Sequence, residues 1–340
     1  MKRWIWLGLF VSTILAVWVS WQRSPLFQST QSQSTHSQSG HSQSGSNAQL
    51  MQQVRPAPMP TVDSQRLLTD LESLTFNRYA QADREKARRY ILRALQDAGW
   101  TVQEMPFELS ATSGVNVYAE RTGSDPTAGA ILLGAHYDSV ERSPGADDNA
   151  TSLATVLEAA RLLSAATPRT LKLVFFDLEE VGLLGSQAFI DEPDQQDNLK
   201  GAVILDMVGY ACYQAGCQSY PPMLPITPPT DRGDFLAVIG NQGHPALINS
   251  FTQSTRPTLP QVLTLEIPTF GNFTPDLVRS DHAPFWKNGL GAVLVTDTAN
   301  FRNPHYHQPT DTLETIDREF FLGSAQVIVN AVTALLQGSD

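Results

Sequence analysis

The sequence predicts an α/β fold, a three-layer α/β/α sandwich around a mixed, mostly parallel sheet, in one folded domain over residues 61–340. Two observations carry this. Seven short runs bounded by turn residues are apolar on both faces, as strands buried inside a central sheet are. Between several of them lie longer segments whose apolar residues recur at helical spacing, and such alternation of strand and helix builds a layered α/β domain.

The chain opens with Met1-Lys2-Arg3 and an apolar run from Trp4 to Trp21, close to the roughly 20 residues that cross a bilayer core. Basic residues ahead of the run keep the N-terminus inside, and Trp4, Trp6, Trp18 and Trp21 suit the two membrane interfaces. A cleavable signal peptide ends in small residues at alternate positions. This run ends Val17-Trp18-Val19-Ser20-Trp21, so residues 1–21 read as a retained signal anchor, with a cleaved signal as the alternative. Either way the domain lies outside the cytoplasm, in a periplasm or at a cell surface. Residues 22–60 are rich in Gln and Ser and bury too little to fold, so they read as a tether, with His36 and His41 as ordinary polar positions in it.

Helical spacing recurs over 64–74 and 85–98. The apolar runs then fall at 115–119, 130–135, 171–176, 202–205, 235–239, 262–267 and 292–295, all read as buried central strands. Helical patterns at 151–164, 183–190, 244–252 and 315–336 separate several of them. In such sheets functional side chains gather beyond the carboxyl ends of the strands.

The 340 residues carry a net charge of −11. The first fifty contain Lys2, Arg3 and Arg23 and no acid, which leaves 20 basic against 34 acidic side chains, net −14, for the rest. A domain this acidic is a poor partner for nucleic acid, whose phosphates require clustered Lys and Arg. Nothing in the sequence sets an oligomeric state. The two cysteines, Cys212 and Cys217, flank four residues including Gly216, and in an exported domain they are expected to form a disulfide.

The strand ends repeat one chemistry. The run at 130–135 leads into His136-Tyr137-Asp138, an imidazole with a carboxylate placed to orient it. Gly145-Ala146-Asp147-Asp148-Asn149 opens a helix, where acids are ordinarily caps. The run at 171–176 ends in Asp177-Leu178-Glu179-Glu180 and the run at 202–205 in Asp206. Adjacent buried glutamates are costly unless a cation or a proton receives them, so one suits a metal and the other a base. Ser280-Asp281-His282 and His305-Tyr306-His307-x-x-x-Asp311-Thr312 follow. His, Asp and Glu gathered at successive strand ends are the pattern of a hydrolytic metal site.

In this order the motifs resemble those of the zinc exopeptidases that include bacterial leucyl aminopeptidases, glutamate carboxypeptidases and glutaminyl cyclases, over about residues 130–312. The resemblance implies a di-zinc aminopeptidase acting on peptides. His136 and Asp206 would hold one Zn2+, Glu180 and His307 the other, and Asp148 would bridge them. Glu179 would be the general base, Asp138 the partner of His136, and Tyr306 a donor to the tetrahedral intermediate. Asp147 would be structural, His305 the rival of His307, and Asp281 and His282 would shape the pocket. A single-zinc glutaminyl cyclase and an inactive binding module on a membrane stalk are the alternatives. Residues 210–235 and 270–279 are left to select the substrate.

Overall fold

The computed structural model describes residues 59–338, apart from 110, 223, 225 and 269–274. The expected signal anchor and nearly all of the tether lie outside the described residues.

Helix α1 (Ser64–Leu74) starts where the Asp63 carboxylate accepts the free N–H groups of Gln65 and Arg66, an N-cap that satisfies two donors the helix leaves orphaned. Helix α2 (Gln81–Asp97) begins four residues before its apolar pattern does, because its first turn, Gln81 to Arg84, is polar and carries no periodic signal. Strands β1 (Val102–Leu109) and β2 (Thr112–Arg121) form an antiparallel hairpin. Strand β1 was not legible as a strand: it lies at the sheet edge, is largely solvent-facing and contains Pro106, a residue confined to edges because it cannot donate to a ladder.

Then follow β3 (Ala130–His136), α3 (Ser152–Leu162), β4 (Thr170–Phe176), α4 (Leu184–Asp191), the short α5 (Pro193–Gln196) and β5 (Leu199–Leu205). The chain ends with β6 (Phe235–Asn241), α6 (Pro245–Ser254), β7 (Gln261–Ile267), α7 (His282–Lys287), β8 (Ala292–Thr296) and α8 (Arg318–Leu336). The eight strands form one sheet in the order β1-β2-β4-β3-β5-β8-β6-β7. Pairs β3/β4, β3/β5, β5/β8 and β6/β7 are parallel, whereas β1/β2, β2/β4 and β6/β8 are antiparallel. The sheet is therefore mixed and mostly parallel, as the sequence predicts. One expectation is corrected: the run at 262–267 is not a central strand but the far edge, β7, and most of its residues are partly exposed.

Alternate side chains of the buried strands serve two cores. Ile131 and Leu133 of β3 pack with α1, α2, α3 and α8, while Leu132 packs on the opposite face with Phe189 of α4 and Phe285 and Trp286 of α7. Helices on both faces make the three layers. Among the described residues α8 is the one helix long and apolar enough to cross a bilayer, yet most of it is buried inside the domain.

The parallel strands β4, β3, β5 and β8 all end at one edge of the sheet, which brings Asp177, His136, Asp206 and Asp297 to the same rim. Cys212 and Cys217 are bridged, in the long connection between β5 and β6, and Cys212 exchanges both backbone hydrogen bonds with Gly233. Thiol titration of the unreduced, denatured protein should accordingly find no free thiol, rising to two per chain after reduction; two thiols before reduction would contradict the bridge.

Candidate active site

The turn that carries Asp148 is the hub of the site. Gly145 enters it in the left-handed region at φ 65°, where a side chain would also meet the Asp148 carbonyl oxygen at 2.4 Å. The backbone N–H groups of Asp147 and Asp148 then donate to the two carboxylate oxygens of Asp311, at 2.9 and 3.1 Å. Asn149 brackets Asp206 by donating from its side chain to the Leu205 carbonyl and accepting from the Met207 N–H. The turn thus ties the end of β5 to the loop that carries His307.

Around it two groups of side chains converge on the two oxygens of Asp148. Its Oδ1 lies 3.4 Å from His136 Nε2, which is also 3.7 Å from Asp206 Oδ1. Its Oδ2 lies 3.2 Å from His307 Nε2, which is 3.1 Å from Glu180 Oε2. Within each group one potential ligand atom per residue lies within 4.8 Å of the others, so His136, Asp148 and Asp206 can hold one metal ion and Asp148, Glu180 and His307 a second. Two imidazoles and three carboxylates form a nitrogen and oxygen donor set suited to zinc. Glu180 Oε1 is buried with no hydrogen-bond partner, an unsatisfied acceptor of the kind a cation would satisfy.

The structure brings together every residue named from the sequence for the metals and the base. Glu179 is buried beside the cluster and faces the same cavity. Asp138 accepts the backbone N–H groups of Glu179 and Glu180, each at 3.1 Å, and lies 3.5 Å from His136 Nδ1, beyond a strong hydrogen bond. It fixes the glutamates more firmly than the imidazole. Tyr306 stacks on the His307 ring at 3.7 Å, and its hydroxyl accepts from Arg279 at 2.9 Å. His305 stays outside, bonded to Thr310 and packed on Tyr210. Asp147 points away, accepting from Gly209 N and Asn303 Nδ2. Asp281 and His282 are fully buried behind the cavity wall, His282 donating to the Leu277 carbonyl, and neither lines the cavity.

Backbone geometry aims these side chains. Leu178, just before Glu179, Met207, just after Asp206, and His307 itself all adopt left-handed φ values near 60°, conformations that cost a non-glycine residue on the order of 1–3 kcal/mol and persist only where surroundings enforce them. Each turns the chain sharply at the rim.

The cluster opens into a cavity of about 490 Å³. Its far wall is largely apolar, built from Ala237 and Ile239 of β6, Leu263 and Leu265 of β7, Leu294 of β8, and Tyr220, Pro221, Leu224 and Ile226 of the disulfide-bearing loop. Of the loops expected at 210–235 and 270–279, Tyr220, Leu224, Ile226, Asp276, Leu277 and Arg279 do border it, residues 270–274 lie outside the described residues, and the contribution of the sheet strands is not legible in the sequence. Those strand residues carry no signal beyond their hydrophobicity, which served as evidence for core. Asn149 and Arg279 stand within stretches singled out from the sequence, but the bonds by which each contributes are not legible there.

The sequence pattern of peptidase family M28 matches residues 116–332, well over half of the chain. The chain belongs to peptidase family M28. Protein YfbL of Escherichia coli K12, itself uncharacterised, is 33% identical over 269 residues, spanning 74% of this chain and 79% of YfbL. Leucine aminopeptidase 1 of Arthroderma otae is 27% identical over 312 residues, 82% of this chain and 75% of that one. Among solved structures, the aminopeptidase from Aneurinibacillus sp. strain AM-1 matches 80% of this chain and 94% of its own with a TM-score of 0.62 at 18% identity. A glutaminyl cyclase of Porphyromonas gingivalis matches 80% and 98% with a TM-score of 0.59, also at 18% identity. At such identities the likeness is one of fold. As an M28 member the protein is a zinc-dependent metallopeptidase.

The electrostatics of this M28 site are those of a crowded anion cluster. Burial, with the neighbouring Asp148 charge next, pushes Glu180 up to about 7. Burial also holds the Glu179 carboxyl well above its usual range, against the pull of His136. Asp311 is pushed up to about 7 by burial and by Asp147. Burial works against the charged form of His307, but Asp148 and Glu180 outweigh it and raise the imidazole to about 10. Burial likewise opposes charge on Asp148, yet the bonds from His136 and His307 keep it below the carboxylate range.

These shifts set a pH dependence. Glu180 and Asp311 bind protons in the folded state that the unfolded chain releases near pH 4 to 4.5, so their stabilising contribution is present at low pH and lost as pH rises towards 7. His307 adds a contribution present below about 6.5 and lost on the way to 10, the same direction. With zinc removed by chelator, the thermal unfolding midpoint should fall steadily from pH 5 to pH 9. A midpoint that rises over that range would contradict this electrostatic account.

Proposed function

We propose that the protein is a di-zinc exopeptidase that removes apolar residues from the N-termini of peptides. The observation that carries this reading is the pairing of two three-residue ligand groups through the two oxygens of Asp148, with buried Glu179 beside them and an apolar cavity in front.

When bound, zinc lowers the pKa of water towards neutrality and polarises the scissile carbonyl. Everything else falls to the chain. His136, Asp206, Asp148, Glu180 and His307 hold the ions, and Asp138 fixes Glu179 and Glu180 relative to one another through their backbone N–H groups. Glu179, kept basic and out of water by burial, accepts the proton of the attacking water and delivers it to the departing amine, a transfer worth on the order of a hundred- to ten-thousand-fold. The Tyr306 oxygen already accepts from Arg279, so its own hydrogen is free to donate to the substrate carbonyl oxygen as negative charge develops there.

Substrate choice follows from the cavity. At about 30 Å³ per water molecule, 490 Å³ is the room of roughly 16 waters, far more than the four carbons of a leucine side chain displace, so a large apolar residue and part of its neighbour fit. The apolar N-terminal run and the tether support a catalytic domain held at the outer face of a membrane, where free peptides are met.

Three outcomes test the reading. Zinc-replete protein should contain about two ions per chain. A reproducible value near one, with cyclisation of N-terminal glutamine, would favour the cyclase instead. On aminoacyl amides, Leu, Phe and Met should exceed Asp, Glu and Lys by at least tenfold in kcat/KM, and peptides with blocked amines should not be cleaved. Glu179→Gln should keep both zinc ions while kcat falls by 100-fold or more. Glu180→Gln should lose the second ion at moderate chelator concentration and recover part of its activity in excess zinc. The reverse pattern would overturn the assignment of base and ligand.

A further inference from the structure

Arg78 is wholly buried, lies in the turn between α1 and α2, and among the described residues has no carboxylate as a hydrogen-bond partner. Every acceptor of its guanidinium among the described residues is a backbone carbonyl. Nε bonds Tyr137 at 2.9 Å, Nη1 bonds Leu74, Phe76 and Pro144, and Nη2 bonds Gly145 at 3.0 Å and reaches Asp148 at 3.4 Å. Four of those six carbonyls belong to the stretch 137–148 that runs from the end of β3 to the hub turn. The preceding residue grips the same stretch: the Asn77 side-chain amide donates to the carbonyls of Val140, Glu141 and Ser143 at 2.7–3.1 Å. The Arg78 N–H closes the set by donating to Ser139 Oγ at 2.9 Å.

We propose that Asn77 and Arg78 form a positioning clamp for the zinc site, holding the 137–148 loop so that His136, Asp138 and Asp148 stand at the spacing two ions require. The inference rests on the reading of the site given above. The physical case has three parts. A loop of this length between two ligands has no strand or helix to fix it until the hub turn begins, so its carbonyls must be tied from outside. A guanidinium does this with a rigid planar fan of five N–H donors, which an ammonium on a flexible stem cannot reproduce. A buried cation without a bonded anion is costly, and the carboxylates of Asp148, Asp311, Asp138 and Glu180 lie close enough to offset that cost through space. Arg78 therefore joins loop geometry and cluster charge in one side chain. Gly145 completes the fit, since a Cβ there would lie 2.5 Å from Arg78 Nη2. Both clamp residues precede residue 116, where the family match begins.

The test uses the full-length protein and zinc alone as the probe. Zinc dissociation constants are measured by competition with a fluorescent chelator for the wild type, Arg78→Lys and Asn77→Ala, alongside kcat and KM on a leucyl substrate and the thermal midpoint of each. Groups that orient ligands without touching the metal typically govern 10- to 100-fold in affinity or activity. Arg78→Lys keeps the charge but loses the fan, so zinc affinity should fall at least tenfold and kcat with it, while KM changes less than threefold. Asn77→Ala should weaken zinc severalfold in the same sense. Wild-type zinc affinity and kcat in Arg78→Lys, whatever its thermal midpoint, would overturn the clamp and leave a scaffold role. If Arg78→Lys does not fold, Asn77→Ala decides: unaltered zinc affinity overturns the proposal. A wild type that binds zinc yet cleaves no peptide would remove the proposed function, while the zinc ratios would still judge the clamp.

Discussion

The constraint on which this molecule turns is the confinement of like charges. Asp148, Glu179, Glu180, Asp206, Asp138 and Asp311 converge at one rim of the sheet, most of them withdrawn from water, where unscreened carboxylates repel strongly. Much of the surrounding architecture answers that problem. His136 and His307 are interleaved between the acids, Asp138 and Asp311 each accept two backbone N–H groups, and Arg78 supplies positive charge from behind. In the protein without metal, protons on Glu180 and His307 relieve part of the repulsion. Divalent cations relieve it more completely, which couples metal binding to stability.

The same rim arranges two kinds of specificity in different materials. The chemistry is held by buried strand ends and by turns whose left-handed residues, Leu178, Met207 and His307, are enforced by the packing around them. The cavity wall is instead built on side chains of β6, β7 and β8 and on the loop that carries the Cys212–Cys217 bridge. Ile239 and Leu265 line the cavity on strands that carry none of the His, Asp and Glu side chains gathered around Asp148.

How much of this the sequence disclosed follows from the reach of each signal. The central strands were legible because burial on both faces leaves runs such as Ile131 to Ala135 uniformly apolar. The edge strand β1 was not, since solvent on its outer side and Pro106 erase that pattern, and β7 was mistaken for a central strand for want of any marker of sheet order. At the site, His136, Glu180 and Asp206 stand at or shortly after the ends of β3, β4 and β5, and together with Asp148 and His307 they stand out because their motifs occur in the order seen in the zinc exopeptidases the sequence resembles. The parts played by Asn149, Arg279 and Arg78 carry no such sign. They act through hydrogen bonds to groups as far away as Asp148 from Arg78, 70 residues along the chain, which no local pattern discloses.

The strand order also governs when the enzyme comes into being. Strand β8 sits between β5 and β6, so the β6/β7 pair has no place in the sheet until residues 292–296 have been made, and His307 and Asp311 arrive later still. No N-terminal fragment of the chain holds a complete site. For a protease this is a form of delayed arming: a chain that stops short of residue 311 lacks part of the cluster, which is completed only when the loop carrying His307 and Asp311 meets the turn at 147–148.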